Sequence, residues 1–267
     1  MSISKTAYYY VSKKINKDSE ITDYLRTLAI DHPRWGFEKM MQKIKLDHKP
    51  WNHKRVYRLY CELKLNIRVK PRKRLPKGEA KMLLQPIKAN VCWSMDFMSD
   101  ALTCGRRFRT FNVIDDYNRE ALLIAASFSL PSCRVIQLLD QLAVEKGYPE
   151  MIRVDNGTEF TSHIFRQWAD KHQVLINYIQ PGKPAQNGFI ERFNRTYRED
   201  ILDMNLFSHL REVRLLTQDW IVSYNKNRPH EALAGLTPAQ FSNYRQHMRV
   251  VGKKEPAAMT CNCGISS

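Results

Sequence analysis

Apolar residues recur at helical spacing three times in the first third of the chain. The first stretch runs over 18–30, from Asp18-Ser19-Glu20-Ile21 to Leu28-Ala29-Ile30, with Ser19 placed to cap it. His32-Pro33-Arg34-Trp35-Gly36 breaks the pattern, and a second helix follows from Phe37 through Met40, Met41, Ile44 and Leu46. The third opens at Asn52, a good N-cap, and continues to Leu65. Val56, Leu59, Tyr60 and Leu63 line one of its faces, leaving Lys54, Arg55 and Arg58 off it. Prolines, a glycine and cations then mark 68–89 as a linker. Beyond it the period shortens. Strands are predicted over 91–98, 107–114 and 120–129, then a helix over 132–145 that stops at Lys146-Gly147. A strand at 151–155, a helix at 162–172 and a strand at 174–178 follow, then helices at 188–203 and 209–226. The pattern divides the chain into a small all-helical, helix-turn-helix-like domain (1–67), a basic linker (68–89), an α/β domain (90–246) and a flexible tail (247–267). The α/β part is a five-stranded mixed sheet with flanking helices. Three consecutive strands followed by helix–strand alternation is an order that resembles that of ribonuclease-H-like domains.

Charge changes what the helical part is for. The formal net charge is +16, but residues 1–90 hold 22 Lys/Arg against 8 Asp/Glu, while 91–267 hold 21 against 19. The cations are densest over 51–81, with 11 against two acids. A basic module on a near-neutral remainder reads as an electrostatic grip for nucleic acid. Lys54, Arg55, Arg58, Arg72, Lys73 and Arg74 are the candidate phosphate contacts. A plain basic helical bundle is the alternative. No apolar run approaches a transmembrane span, Met1-Ser2-Ile3-Ser4-Lys5 lacks a signal-peptide segment, and no membrane partner is expected. The six cysteines are scattered, as reduced cytosolic thiols would be, and Cys261-Asn262-Cys263 has no second ligand pair at a zinc spacing.

Three acids stand where metal-assisted phosphoryl chemistry needs them. Asp96 interrupts the strand-like run Val91-Cys92-Trp93-Ser94-Met95-Asp96-Phe97-Met98, and Asp155 ends the run from Met151. Glu191 sits on the helix entered through Pro184-Ala185-Gln186-Asn187-Gly188. Converging carboxylates repel unless hard cations neutralise them. Two such cations ~4 Å apart clamp the attacking and departing oxygens of a phosphodiester. Ile190, Phe193, Tyr197 and Ile201 form an apolar stripe, with Glu191 at its edge and Arg195 and Arg198 four and seven residues on. A surface ion pair between Glu191 and Arg195 is the plainer reading. Residues 179–188, with Lys183 able to meet phosphate, are expected to form a mobile flap.

Fifty-eight residues separate Asp96 from Asp155, and 35 separate Asp155 from Glu191. With Trp93-Ser94-Met95-Asp96, Val154-Asp155-Asn156-Gly157-Thr158-Glu159-Phe160 and Gln186-Asn187-Gly188-Phe189-Ile190-Glu191-Arg192-Phe193-Asn194, this resembles the Asp, Asp, thirty-five residues, Glu signature of integrases and transposases. Arg34-Trp35-Gly36 and Tyr224-Asn225-Lys226-Asn227-Arg228-Pro229-His230 extend the resemblance to the second-frame (OrfB) transposases of the insertion-sequence-3 family, over about residues 20–242. The resemblance implies metal-dependent cleavage and strand transfer at insertion-sequence ends. Asp96, Asp155 and Glu191 would be catalytic and hold two Mg2+ ions, with Mn2+ able to substitute. Arg198 matches the cation the family often carries seven residues after its Glu. It also implies end and target DNA as partners, a homo-oligomer on DNA, and a bacterial cytoplasmic, nucleoid-associated location. Fusion to, or pairing with, an upstream first-frame product stays open, because no heptad run is present here.

Two rival readings remain: an end-binding regulatory protein with vestigial acids, and a nuclease of the same fold. Among other acids, Asp115 and Asp116 are expected to form a turn, with one of them facing the cleft as the alternative, and Asp100 the turn after the first strand. Glu159 is expected to cap or precede a helix. His163, His172 and Ser94 lack partners for zinc or nucleophilic chemistry.

Overall fold

A computed structural model describes residues 14–67, 85–180 and 184–250. Three helices open it: α1 (Lys14–Asp31), α2 (Phe37–Leu46) and α3 (His53–Glu62). They bury one small core of Ile21, Leu25, Leu28, Trp35, Met40, Met41, Ile44, Val56, Leu59 and Tyr60. Asn52 caps α3 as expected, its side chain accepting from the Lys54 amide at 2.9 Å. Ser19 is not a cap. It lies inside α1, which is already helical at Lys14, the first described residue.

The sheet order is β3-β2-β1-β4-β5, where β1 is Cys92–Ala101, β2 Arg107–Asp115, β3 Ala121–Ser127, β4 Met151–Val154 and β5 Leu175–Tyr178. β1–β2–β3 is an antiparallel meander, and β4 and β5 run parallel to β1. Parallel neighbours need crossovers, and helices supply them: α4 (Ser132–Lys146), α5 (Thr158–Thr161) and α6 (His163–Lys171). The helix expected at 162–172 is α6, which Ser162 caps by accepting from the Phe165 amide, and the short α5 precedes it. Trp93, Met95, Phe111, Val113, Ile152 and Val154 face these helices.

Met98, Phe108, Ile114 and Ile124 face the other side, against α7 (Gly188–Tyr197), the π-helical turn Arg198–Leu202 and α8 (Leu210–Asn227). The predicted 188–203 helix is therefore two pieces. Edge strand β3 is sealed by α8: Asn225 donates to the Ala121 carbonyl and accepts from its amide, both at 2.9 Å, and Arg214 donates to the Ala126 carbonyl. Those bonds satisfy backbone groups that an open edge would expose. A helix that the pattern missed, α9 (Pro238–Val250), packs Phe241 on Tyr117.

Candidate active site

Register brings the first two acids together. β1 and β4 pair in parallel as Cys92↔Met151, Trp93↔Ile152 and Ser94↔Arg153. Asp155 follows the end of β4, and the same register carried on by two residues brings it level with Asp96 on the same face, where its charge acts on the Asp96 carboxyl. This is the face that α7 covers. Asp96 is half-buried and accepts from its neighbour's amide (Phe97, 2.8 Å) and from Asn194 Nδ2 (2.8 Å). Asn194 in turn accepts from Asn112 Nδ2 at 2.7 Å, and Asn112 is the cross-strand partner of Asp96. Both asparagines are buried. They tie β1, β2 and α7 into one hydrogen-bonded chain that fixes the Asp96 carboxylate. Sequence reasoning missed them. The available signal was an amide at Asn194, one turn after Glu191, and another inside the apolar strand around Asn112.

Asp155 follows β4 and accepts from the Gly157 amide at 3.0 Å. A Cβ on Gly157 would lie 3.0 Å from Asp155 Oδ1, so a larger residue there would make the carboxylate give way by a few tenths of an ångström. Glu191 lies in the first turn of α7 and is exposed. Burial pushes the Asp96 carboxyl up to about 6, and the negative charges of Asp155 and Glu191 push it the same way. None of the three acids makes an ion pair among the described residues. Their oxygens are hard donors with uncompensated charge, which is the chemistry a divalent cation matches. No group of three such side chains is yet close enough to hold an ion among the described residues. Asp96 and Asp155 are set by the sheet, and Glu191 stands across the cleft on α7.

The competing acids are placed elsewhere. Asp115 does form the turn, accepting from the amides of Asn90 and Tyr117 at 2.8 Å. Asp116 follows Asp115 in that turn, also as expected. It is fully buried and pairs with Arg153 at 2.6 Å, and burial still raises its carboxyl despite that partner. Asp100 lies within β1, which runs on to Ala101, instead of in a turn. Glu159 pairs with Arg109, whose guanidinium lies 4.3 Å over the Phe97 ring. His172 stacks on Tyr148 at 4.1 Å, in keeping with a packing role.

The candidate DNA contacts divide. Lys54 is exposed, and Arg195 is exposed and makes no ion pair with Glu191 among the described residues, against the plainer alternative. Arg55 and Arg58 are engaged by Asp18 of α1 at 2.6 and 3.0 Å. Arg198 donates to the Ser99 carbonyl at 2.9 Å and approaches Asp100, clasping α7 to the end of β1. Arg72, Lys73, Arg74, Lys183 and Cys261-Asn262-Cys263 lie outside the described residues, as do the centre of the anticipated flap (181–183) and the end of the tail (251–267).

Known proteins share this arrangement. The family described as integrase core domain matches residues 86–184, a second integrase core domain family matches 172–238, and the HTH-like domain family matches 17–74. An insertion element IS476 protein of Xanthomonas euvesicatoria is 37% identical over 91% of this chain and 70% of its own length. An insertion element IS407 protein of Burkholderia multivorans is 35% identical over 91% of this chain and 87% of its own. The chain belongs to the insertion-sequence-3-type transposases. A relative named putative transposase InsK for insertion sequence element IS150, from Escherichia coli, is 26% identical over 93% of both chains. A chain of the simian T-cell lymphotropic virus intasome complex, 14% identical, shares the fold with a TM-score of 0.51, covering 82% of this transposase and 74% of that chain. Among the described residues, no helix of the transposase is long and apolar enough to cross a membrane.

Proposed function

We propose that this transposase cuts DNA at the ends of its element and joins the freed 3′ hydroxyl to target DNA, using Asp96, Asp155 and Glu191 to hold two Mg2+ or Mn2+ ions. The observation that carries the reading is the parallel register of β1 and β4, which sets Asp96 beside Asp155 on the face that α7 covers with Glu191. Bound cations would neutralise the three acids and supply the Lewis acidity that phosphoryl transfer demands. The chain's own residues do the positioning. Asn194, itself held by Asn112, holds one Asp96 oxygen, the Phe97 amide holds the other, and the Gly157 amide holds Asp155. Arg195, exposed one turn beyond Glu191, is free to meet a phosphate beside the reacting one. The helix-turn-helix-like unit supplies the basic surface that grips the element end, and the active species is a homo-oligomer on DNA.

A strand-transfer assay with labelled element ends and Mg2+ tests this. Joined product that disappears in Asp155→Asn is the expected result. Binding without chemistry would leave only an end-binding protein, and hydrolysis without joining would leave a nuclease.

A further inference from the structure

On the α7 side of the sheet, Asn194 and Asn112 fix Asp96. A second set of contacts, on the opposite side, runs from the strand of Asp96 to the turn of Asp155. Arg109 stands on β2 between Ser99 of β1 and Ser127 of β3. Its guanidinium lies 4.3 Å over the Phe97 ring and pairs with Glu159, the second residue of α5. Phe97 directly follows Asp96, and its amide donates to Asp96 Oδ1 at 2.8 Å. Glu159 reaches back to the Asp155 turn. A Cβ on Gly157 would meet Asp155 Oδ1 at 3.0 Å and Glu159 Oε2 at 3.5 Å. One arginine thus spans the two segments that carry the paired acids.

Both ends of that span are anchored. Phe97 stacks on Phe160 at 5.1 Å and tilts against Phe111 at 5.2 Å, and both of those rings are fully buried. The Glu159 carbonyl accepts from Ser132 Oγ at 2.8 Å and from Ser162 Oγ at 3.0 Å, which ties α5 to the start of α4. Its Oε2 accepts from Thr158 Oγ1 at 3.2 Å, and its Oε1 takes the arginine. The glutamate side chain is only 18% exposed and the arginine 34%, so water screens this pair less than an open surface pair. Arg109 also cancels the charge of Glu159, which leaves the uncompensated charge on the three acids alone.

We propose that Arg109 and Glu159 are positioning residues, whose pair, seated on Phe97, sets the spacing at which Asp96 and Asp155 share a divalent cation. This role deepens the function proposed above and rests on it. The two residues act through others. Arg109 holds Phe97, whose amide holds Asp96, and it holds Glu159, whose turn presents Asp155. Two carboxylates without a cation repel, and the pair opposes that repulsion before the cation arrives. Loss of the brace therefore weakens cation binding. Saturating cation restores the rate, because the ion itself draws the acids together.

The test uses the full chain and Mn2+ in two arms. Binding without DNA is read from the electron paramagnetic resonance signal of free Mn2+, counting only binding that Asp155→Asn removes. Strand transfer on labelled element ends gives the Mn2+ concentration for half the maximal rate. Arg109→Gln and Glu159→Gln should each raise both Mn2+ requirements about tenfold, as lost supports of metal ligands do. The maximal rate should stay within about twofold of wild type. The double variant should be no worse than either single one, since each removes the same brace. Arg109→Lys keeps the charge and should recover part of the loss. Asn52→Ala, a change far from the cleft, should leave both requirements unchanged and so separates the brace from general loss of stability. Requirements that rise in both single variants and no further in the double support the brace. Unchanged requirements, whatever the thermal midpoints do, overturn it and leave the proposed function standing. Effects that add in the double variant also overturn it, because the two residues then act separately. A wild-type chain that binds Mn2+ through Asp155 but joins no ends refutes the proposed function, while the binding arm still decides the brace. Mn2+ binding untouched by Asp155→Asn refutes both.

Discussion

Replacing Asp96 by asparagine should stabilise this protein when divalent cations are absent, although it removes a carboxylate proposed to be essential. Asp96 stands at about 6 instead of the usual 3.8, chiefly through burial, with Asp155 and Glu191 adding to the effect. At about 1.4 kcal/mol per pKa unit, keeping it ionised at neutral pH costs about 3 kcal/mol. The sign follows from proton binding. The folded protein takes up this proton at higher pH than the unfolded chain, so the group stabilises fully below about 4 and loses that contribution as pH rises through about 6. An amide in place of the carboxylate carries no charge and removes the cost. Its hydrogen bonds can also be rebuilt. The introduced amide keeps an oxygen on one side for the Phe97 N–H, while its NH2 meets Asn194. If Asn194 flips to accept it, its own NH2 faces Asn112, whose Oδ1 has no partner and is free to accept once that amide flips too. Thermal melts in EDTA at pH 7.5 should place the Asp96→Asn variant about 6–12 °C above wild type, at roughly 2–4 °C per kcal/mol. The gap should close towards pH 4. Asp115, also pushed up to about 6, titrates in the same window, so the difference between the two proteins is the readout, not either curve alone. Adding Mg2+ should stabilise wild type and not the variant. A variant that melts at or below wild type at pH 7.5, or a gap independent of pH, would refute the claim that three uncompensated carboxylates strain this site.

The remaining expectations are shorter. Gly157→Ala puts a Cβ 3.0 Å from Asp155 Oδ1 and should cut strand transfer by about tenfold or more while the far-ultraviolet circular dichroism stays native. Arg153→Leu strands the fully buried Asp116 and should cost about 3–5 kcal/mol in urea unfolding, most of it recovered in the Arg153→Leu/Asp116→Leu double variant. Asn52→Ala removes the α3 cap and should cost about 1 kcal/mol in the same measurement, with catalysis on pre-bound ends little changed.

Much of this fold is written in short-range pattern, and what escaped the pattern is long-range. The strands and their order follow from alternation and turn residues, and Asn52 follows from cap chemistry, since each depends on neighbours a few positions away. The fate of Arg55 and Arg58 does not. Both stand off the apolar stripe of their own helix, and it is α1 that brings Asp18 to them across 37 and 40 residues. Arg198 has the helical spacing for the cleft, yet the π-turn that starts there and the Ser99 carbonyl take it to the end of β1. α9 was missed because its polar sequence shows no clean stripe. Phe241 packs on Tyr117 in the β2–β3 turn, far away in the sequence.

The same reasoning separates acids that serve the fold from acids available to chemistry. Asp116 and Asp96 both lie on the sheet face under α7 and α8, and burial raises both. The difference is two residues of register. At the level of Ser94 and Arg153 the sheet supplies a guanidinium, and Asp116 is closed off by it. One pleat further along, the side chain beside Asp96 is Asp155, and the partners are amides: the Phe97 N–H and Asn194, which Asn112 holds in turn. Amides orient a carboxylate without cancelling its charge, whereas an arginine does both. A site meant to receive cations needs the first and must avoid the second. Arg153 at the pleat below neutralises the structural acid and leaves the pair above it charged, which is why a one-step slip of β4 against β1 would abolish the site even if every residue of the signature were kept.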